Sequence, residues 1–565
     1  MKRLFNEHNI RHGVSLDGAW LAEKCAWDNG AEGAMSSPIT VVVPCVHDNF
    51  PDFESYEGAV RYERDFYFEG GCLLLHFGAV MTECRVYLDG EPLGEHYGGF
   101  NEFELVKSGV MAGNHRLTVM VNNAFDECSI PQRDVDWYHH GGIIRSVTCQ
   151  RLEGVAVRLC NMHYELDPSL KSARAYFECE LTNATEKCLT DTLKIEVEGI
   201  CSLSVPITLE AGQTVALSTD TVTLEGFELW SPEHPALYKL TASTSTDDLI
   251  DRVGFRRIEV SGKDILLNGK KYTVRGVNRH EDHPDFGFAF PEGLMRRDID
   301  IITQMGANSI RGSHYPNSRP FLDMLDRMGI TFWSEIPIWG CGFSVEALGN
   351  ETVRARGEKM LEEMVRCYYN HPSIILWGIH NEIHSYTDEA YEMTRRFRAV
   401  VDRMDSSRPV VYATACPTKD TCYEFCDIVC INNYTGWYGG NMEEWPNKLV
   451  AFKEHMKETG ADNKPLIMSE FGAASVWGHH DFDTRRWSEN YQARLISYCL
   501  ELFYADEDIS GCYIWQFCDV KTSMEMGLNR ARAYNNKGIL NEHRKPKLAY
   551  FKVSEIYNRL KSEGR

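Results

Sequence analysis

No stretch of this 565-residue chain approaches 18 consecutive apolar residues, the length a helix needs to cross a bilayer. The basic residues of the amino-terminal stretch Met1–Asn9 are not followed by an apolar segment, so the expected location is the cytoplasm, with no membrane anchor. Positive charge is scarce: 59 Lys and Arg stand against 82 Asp and Glu, a formal charge of -23. Polyanions are held by a surplus of cations, so neither nucleic acid nor an anionic membrane is an expected partner. A small anionic substrate is not excluded, because salt confines charge effects to about 10 Å and a few local cations outweigh a distant negative surface. Disulfide framework spacing is also missing. The 19 cysteines are odd in number and scattered, which suits a reducing compartment. Cys422, Cys426 and Cys430 come nearest to a metal set, but no Cys or His pair beside them completes a tetrahedron, and they read as small buried hydrophobes.

What is present is globular material, 43% hydrophobic and 25% charged, in a chain too long for one ordinary domain. Up to about residue 150 the sequence is a succession of short alternating runs broken by Gly, Pro and Asn. Ile39 to Pro44, Val60 to Phe68, Cys72 to Phe77, Arg85 to Leu88 and Leu117 to Val121 are examples. That spacing predicts an antiparallel, jelly-roll-like β-sandwich over 1–150. The cluster Asp136 to Arg145, polar and aromatic groups around two glycines, reads either as a tight turn or as a loop reaching a neighbouring site. A second run of some seven short strands over 151–260 predicts an immunoglobulin-like sandwich. Within it Trp230 to Pro235, with two prolines, reads as a rigid corner.

From about residue 261 to 565 buried apolar runs alternate with amphipathic segments. The runs are Thr273 to Val277, Ser309 to Arg311, Thr331 to Glu335, Ile374 to Ile379, Val410 to Ala413, Ile428 to Asn432, Leu466 to Ser469 and Cys512 to Trp515. Met295, Ile299 and Ile302 share one helical face, as do Phe321, Met324, Leu325 and Met328. Eight such units predict a (β/α)8 TIM barrel. Active-site groups of such barrels gather at the carboxyl ends of the strands. There stand Glu382 after strand four, Glu470 after strand seven, Arg311 to Tyr315 after strand two, Asn432 to Tyr434 after strand six and Trp515 after strand eight. A glutamate at a barrel mouth is weak evidence alone. Two of them at strand ends, among Asn, His and aromatic residues, point to glycosyl transfer to water, with one carboxyl as acid and the other ionised.

Asn381-Glu382, Ser469-Glu470-Phe471-Gly472, Gly306 to Arg311 with Ser313-His314-Tyr315-Pro316, Asn278 to Glu281 and Trp230-Ser231-Pro232 together resemble glycoside hydrolase family 2. The resemblance spans nearly the whole chain. It implies a retaining glycosidase with Glu382 as acid/base, Glu470 as nucleophile and Asn381 bonded to the sugar 2-hydroxyl. The sugar itself is decided elsewhere. Tyr534 to Ile539 is similar to the Asn-x-Lys element of the family's β-glucuronidases, which implies that Asn535 and Lys537 bind a uronic carboxylate. By the same resemblance Asp136, Asn432, Tyr434, Tyr438 and Trp515 line the sugar subsite, with His314 beside them. Members with this element often carry an arginine shortly before it, and both Arg530 and Arg532 are candidates.

The segment 337–357 is short beside the long active-site loop of some bacterial members, which predicts an open aglycone side for bulky or oligomeric glucuronides. His280, Glu281 and His283 invite a metal, yet hydrogen bonding within the barrel mouth is the stronger reading. No required metal or cofactor is expected. The resemblance implies a homo-oligomer, a tetramer, although no heptad marks it. β-Galactosidase or β-galacturonidase activity on the same scaffold, and a carbohydrate-binding protein without catalysis, are the alternatives; both intact glutamates weigh against the last.

Overall fold

The computed structural model describes residues 3–29, 33–340, 342–523 and 529–565; Met1, Lys2 and Cys341 of the stretches discussed above lie outside it. The alternating runs of the first third pair into two antiparallel sheets. One has four strands, with Gly71–Phe77 between Val147–Leu152 and Phe103–Val110. The other has six, centred on Ala59–Phe68 and Gly113–Asn122. Alternation is what lets these strands bury one face: in Glu83–Leu88 it is Cys84, Val86 and Leu88 that point inward. Trp20, Tyr62, Leu75, Phe77 and Val119 fill the space between the sheets.

The second sandwich pairs Val155–Leu166 with Ser172–Asn183, and Leu189–Val197 with Cys201–Leu209. Its corner at Trp230 is a fastening to the barrel. The indole is fully buried and its N–H donates to the Asp326 carbonyl at 2.8 Å. Gly329, in left-handed backbone at φ 68°, caps the barrel helix Arg319–Met328 beneath Pro232. A side chain there would meet the Pro232 carbonyl, so glycine serves both the helix end and the close approach.

Eight parallel strands close the barrel in chain order: Val274–Arg279, Ser309–Gly312, Thr331–Glu335, Ile374–Asn381, Val410–Thr414, Val429–Asn432, Leu466–Glu470 and Ile509–Ile514. Every residue of each is buried, which explains why they read as continuous rather than alternating apolar runs. Met295, Ile299 and Ile302 face the strands as their helical spacing predicts. A feature not foreseen is the antiparallel sheet Ile258–Ser261, Asp264–Leu267 and Lys270–Lys271. Its Ile265 and Leu267 pack on Trp333, Leu376 and Val411 and so close the amino-terminal end of the barrel. No helix among the described residues is long and apolar enough to cross a membrane.

Candidate active site

Strand four delivers Glu382 with an unusual backbone. At φ 55° this residue is in the left-handed region, which costs a side chain other than glycine about 1–2 kcal/mol. Its amide donates to the Ala413 carbonyl of strand five at 2.8 Å, which fixes the turn. Asn432, at the end of strand six, donates from one amide to Glu382 Oε1 at 2.9 Å and to Asn381 Oδ1 at 3.0 Å. The same Asn432 lies opposite Glu470 in the register of strands six and seven. Glu382 and Glu470 therefore share one wall of the barrel mouth.

The two carboxyls are treated differently by their surroundings. Both oxygens of Glu470 are held, one by the Arg311 guanidinium at 2.8 Å and the other by the Tyr434 hydroxyl at 2.6 Å. Burial pushes its pKa above the usual range, and those two donors work against that rise. At Glu382 burial is reinforced by the neighbouring Glu470 charge, and the pKa is pushed up to about 8. One group is thus surrounded by a cation and a phenol, the other left to take up a proton.

Arg311 organises the floor. It is fully buried, forks onto Glu335 at 2.9 and 3.0 Å, donates to Asn381 Oδ1 at 2.7 Å and lies over the Trp333 ring. Glu335 also receives His314 Nδ1 at 2.7 Å. Burial and then the Arg311 charge hold the His314 pKa well below its ordinary value, so the ring is neutral. Its Nε2, 3.9 Å from Glu470 Oε1, has no hydrogen-bond partner among the described residues. The buried Asn381 Nδ2 and Trp515 Nε1 are in the same condition, and three unmet polar atoms around one floor are what a bound polyol would satisfy.

A second cluster stands at the other end. The segment after strand eight places Asn535 and Lys537 in the interior, where Lys537 donates to the Tyr438 hydroxyl at 3.0 Å. Asp136 arrives from the first sandwich on the loop 136–145. It accepts from Asn535 at 3.1 Å and from Arg530, and lies 3.9 Å from the Lys537 ammonium. Burial alone would raise the Asp136 pKa, but Lys537 and Arg530 outweigh it and hold the group ionised. The choice between the two arginines is a matter of direction: Arg530 turns inward to Asp136, while Arg532 pairs outward with Glu542 at 2.7 Å. Beneath this segment Lys547 is fully buried and bonds Asp519, the Ser475 carbonyl and the Asn536 carbonyl.

Glu382, Glu470, Asp136, Asn432, Tyr434, Tyr438, Trp515, Asn535 and Lys537 all line one cavity of about 750 Å³. Asn381 and His314 adjoin that lining at its floor, bonded to Arg311 and Glu335, and Tyr438, 63% exposed, forms the outer rim. Sequence reasoning gave no role to Arg311 or Glu335. Glu335 also ends a buried strand, so the signal that marked Glu470 was available for it. Trp137 and Trp339 were missed as well; they pack on His314 from two different domains. Cys426 and Cys430 donate to the nearby Tyr423 and Ile428 carbonyls, and Cys422 to the Ser385 carbonyl on the loop after strand four. His280 contacts the Tyr315 hydroxyl, and Glu281 pairs with Arg145 at 3.1 Å. A separate cavity of about 720 Å³ lies where the three domains meet. Its cations Arg3, Arg158 and Arg366 are paired with Asp251, Glu104 and Glu180.

Three family models match the chain in succession. They are the glycosyl hydrolases family 2 sugar binding domain over residues 13–152, glycosyl hydrolases family 2 over 157–256 and the family 2 TIM barrel domain over 258–562. The chain belongs to glycoside hydrolase family 2. This family 2 glycosidase is 30% identical to a β-glucuronidase of Sus scrofa, over 99% of the chain and 92% of that protein. It is 31% identical to one of Felis catus, over 90% of the chain and 83% of that protein. Among solved structures it is similar to a family 2 β-galacturonidase from Eisenbergiella tayi bound to galacturonate, at 33% identity and a TM-score of 0.92, covering 99% of both chains. A Ruminococcus gnavus β-glucuronidase in complex with D-glucuronic acid aligns at 25% identity and a TM-score of 0.85, again over 99% of both chains.

Proposed function

We propose that this glycosidase is a retaining β-glucuronidase that removes a terminal glucuronic acid. The observation that carries the reading is the charge count at the Asp136 end of the cavity. Two cations, Arg530 and Lys537, stand there with Asp136 as their carboxylate partner. A uronic carboxylate supplies the missing negative charge, whereas a hydroxymethyl group leaves a buried ammonium underpaired. Asn535 and the Tyr438 hydroxyl border the same space.

With the carboxylate anchored there, the anomeric carbon faces the two glutamates. Glu470, ionised, attacks that carbon while protonated Glu382 gives its proton to the departing oxygen, leaving a glycosyl ester on Glu470 and an ionised Glu382. Esterification removes the Glu470 charge that helps hold the Glu382 pKa up. The Glu382 carboxylate then takes a proton from water, which attacks the same carbon and frees Glu470 with the original configuration restored. Asn381 Nδ2, buried and unpartnered, suits a donor to the 2-hydroxyl.

The similarity to the Eisenbergiella tayi enzyme favours a second reading, β-galacturonide hydrolysis, because the two sugars differ only at C4 and the carboxylate clamp suits both. The discriminating experiment compares 4-nitrophenyl β-D-glucuronide, galacturonide and galactoside, each with the wild-type chain and with Glu470→Gln. Preference for the glucuronide, abolished in the variant, is expected. Preference for the galacturonide makes the second reading correct, and preference for the galactoside overturns both.

A further inference from the structure

Beyond the cavity, the loop after the first barrel strand meets the turn 541–547 at the surface. We propose that His283, Asp285 and His543 form a site for one divalent transition-metal ion of the zinc, nickel or copper(II) kind. One ligand atom from each of the three lies within 4.8 Å of the other two, and His283 Nδ1 is 3.7 Å from an Asp285 carboxylate oxygen. Ligands at about 2.1 Å from a tetrahedral ion are about 3.4 Å apart, so small side-chain adjustments close the set. Two imidazoles and a carboxylate, with no thiolate, select borderline ions over calcium or magnesium, which take oxygen ligands.

The frames that carry these side chains are fixed independently of any ion. Asn541 Oδ1 accepts from the His543 and Lys545 amides at 3.0 and 2.9 Å. Arg544 ties the turn to Asp298 at 3.0 Å and to the Asp282 carbonyl at 2.8 Å. On the other side the His283 carbonyl accepts from the Gly287 amide at 2.7 Å, and Asn49 of the first sandwich donates to the Asp285 carbonyl at 2.8 Å. His283 and His543, 260 positions apart in sequence, are thereby held side by side, with ring centroids 5.8 Å apart and the rings edge to face. The His283 ring faces the other two groups, and a neutral imidazole is the form that binds metal. Its Nδ1 now accepts from the Asp285 amide at 3.1 Å; an ion taking that lone pair releases an amide on an exposed residue, which water can satisfy. Asp285 and His543 are exposed, so an ion has a path in.

The buried trio Asp323, Asp326 and His371 has similar spacing but lacks this freedom. Asp323 is committed to Arg3 and the Leu4 amide, and Asp326 to His371 and the Ser373 amide. The surface site is also independent of which uronide the enzyme cleaves.

The test is calorimetric titration of the metal-stripped enzyme with Zn²⁺ and Ni²⁺, for the wild type, His543→Ala and Asp285→Asn, alongside thermal unfolding. Both variants alter exposed side chains, and metal-free unfolding temperatures equal to the wild type establish that they are folded. A wild-type site weakened about tenfold or more in each variant, with a metal-induced rise in unfolding temperature that the variants lose, is the expected result. A Co²⁺ complex with ligand-field bands but no thiolate charge-transfer band supports the same ligand set. Wild-type binding no tighter than that of the variants, or a thiolate band, overturns the site.

Discussion

At Glu382 and Glu470 the same functional group is placed in two electrostatic settings, and the pH dependence should follow. For the first step Glu382 must carry its proton and Glu470 must have lost its own. With Glu382 raised to about 8, kcat/KM should fall as pH rises through about 8. It should also fall at low pH as Glu470 takes up a proton, at a pH above the ordinary carboxylate range because burial raises that pKa too. A pH profile of the wild type and of Glu382→Gln checks this: the variant should lose the alkaline limb. It should also slow substrates with poor leaving groups by about 10²–10⁴, far more than aryl glucuronides with good ones. The clamp gives a second residue-level expectation. Lys537→Ala and Arg530→Ala should each cost about 1.5–3 kcal/mol on a glucuronide, roughly 10- to 150-fold in kcat/KM, with little loss on a galactoside. Arg532→Ala, removing a half-exposed arginine that pairs with buried Glu542 outside the cavity lining, should leave kcat/KM on a glucuronide within about 1 kcal/mol of the wild type. Equal losses on glucuronide and galactoside for Lys537→Ala would remove the argument for a uronate clamp.

Among the elements, the loop 136–145 has the most consequence for its length. Arg145 inserts a fully enclosed guanidinium between domains, donating to the Phe100 carbonyl at 2.7 Å, the Pro316 carbonyl at 2.8 Å and Glu281 at 3.1 Å. Through it the first sandwich fixes the loop that presents Asp136. Arg145→Met leaves Glu281 buried and unpaired and should lower stability by about 3–5 kcal/mol, with a higher KM as Asp136 loses its placement. Thermal unfolding and steady-state kinetics read the two effects. Arg145→Met with Glu281→Gln should recover most of the stability, and failure to do so would mean that the ion pair is not what holds the loop. The segment 337–357 contributes Trp339 to the cavity lining and the short helix Val345–Gly349. We propose that this short segment leaves the aglycone side open, so that a glucuronide-ended oligosaccharide should turn over alongside aryl glucuronides; a much slower oligosaccharide would count against an open side.

For the molecule as a whole, the site exists only in the assembled chain. Acid–base and nucleophilic candidates come from the barrel, Asp136 from the sandwich, and Trp230 fastens the middle domain beneath. A net charge of -23 surrounds a cavity end that carries two cations, so the glucuronide proposed as substrate would be held by local rather than global charge. We propose a homotetramer, as the family resemblance implies. Light scattering on the purified enzyme should return the mass of four chains, and a monomer mass would refute it.

Local pattern was enough for the architecture, because a strand buried on both faces must be continuously apolar and a strand buried on one face must alternate. It was also enough to mark Glu382 and Glu470, since a carboxyl closing an apolar run is conspicuous in one dimension. It could not separate them from Glu335, which ends strand three in the same way but lies under Arg311 and outside the cavity lining. Nor could it choose between Arg530 and Arg532, two residues apart and identical in chemistry, because only the backbone path turns one toward Asp136 and the other toward Glu542. The meeting of His283 with His543 belongs to the same class. Sequence by itself determined which segments are buried and which charges end them. Tertiary structure alone decided which charges face one another, because that depends on contacts between residues far apart in the chain.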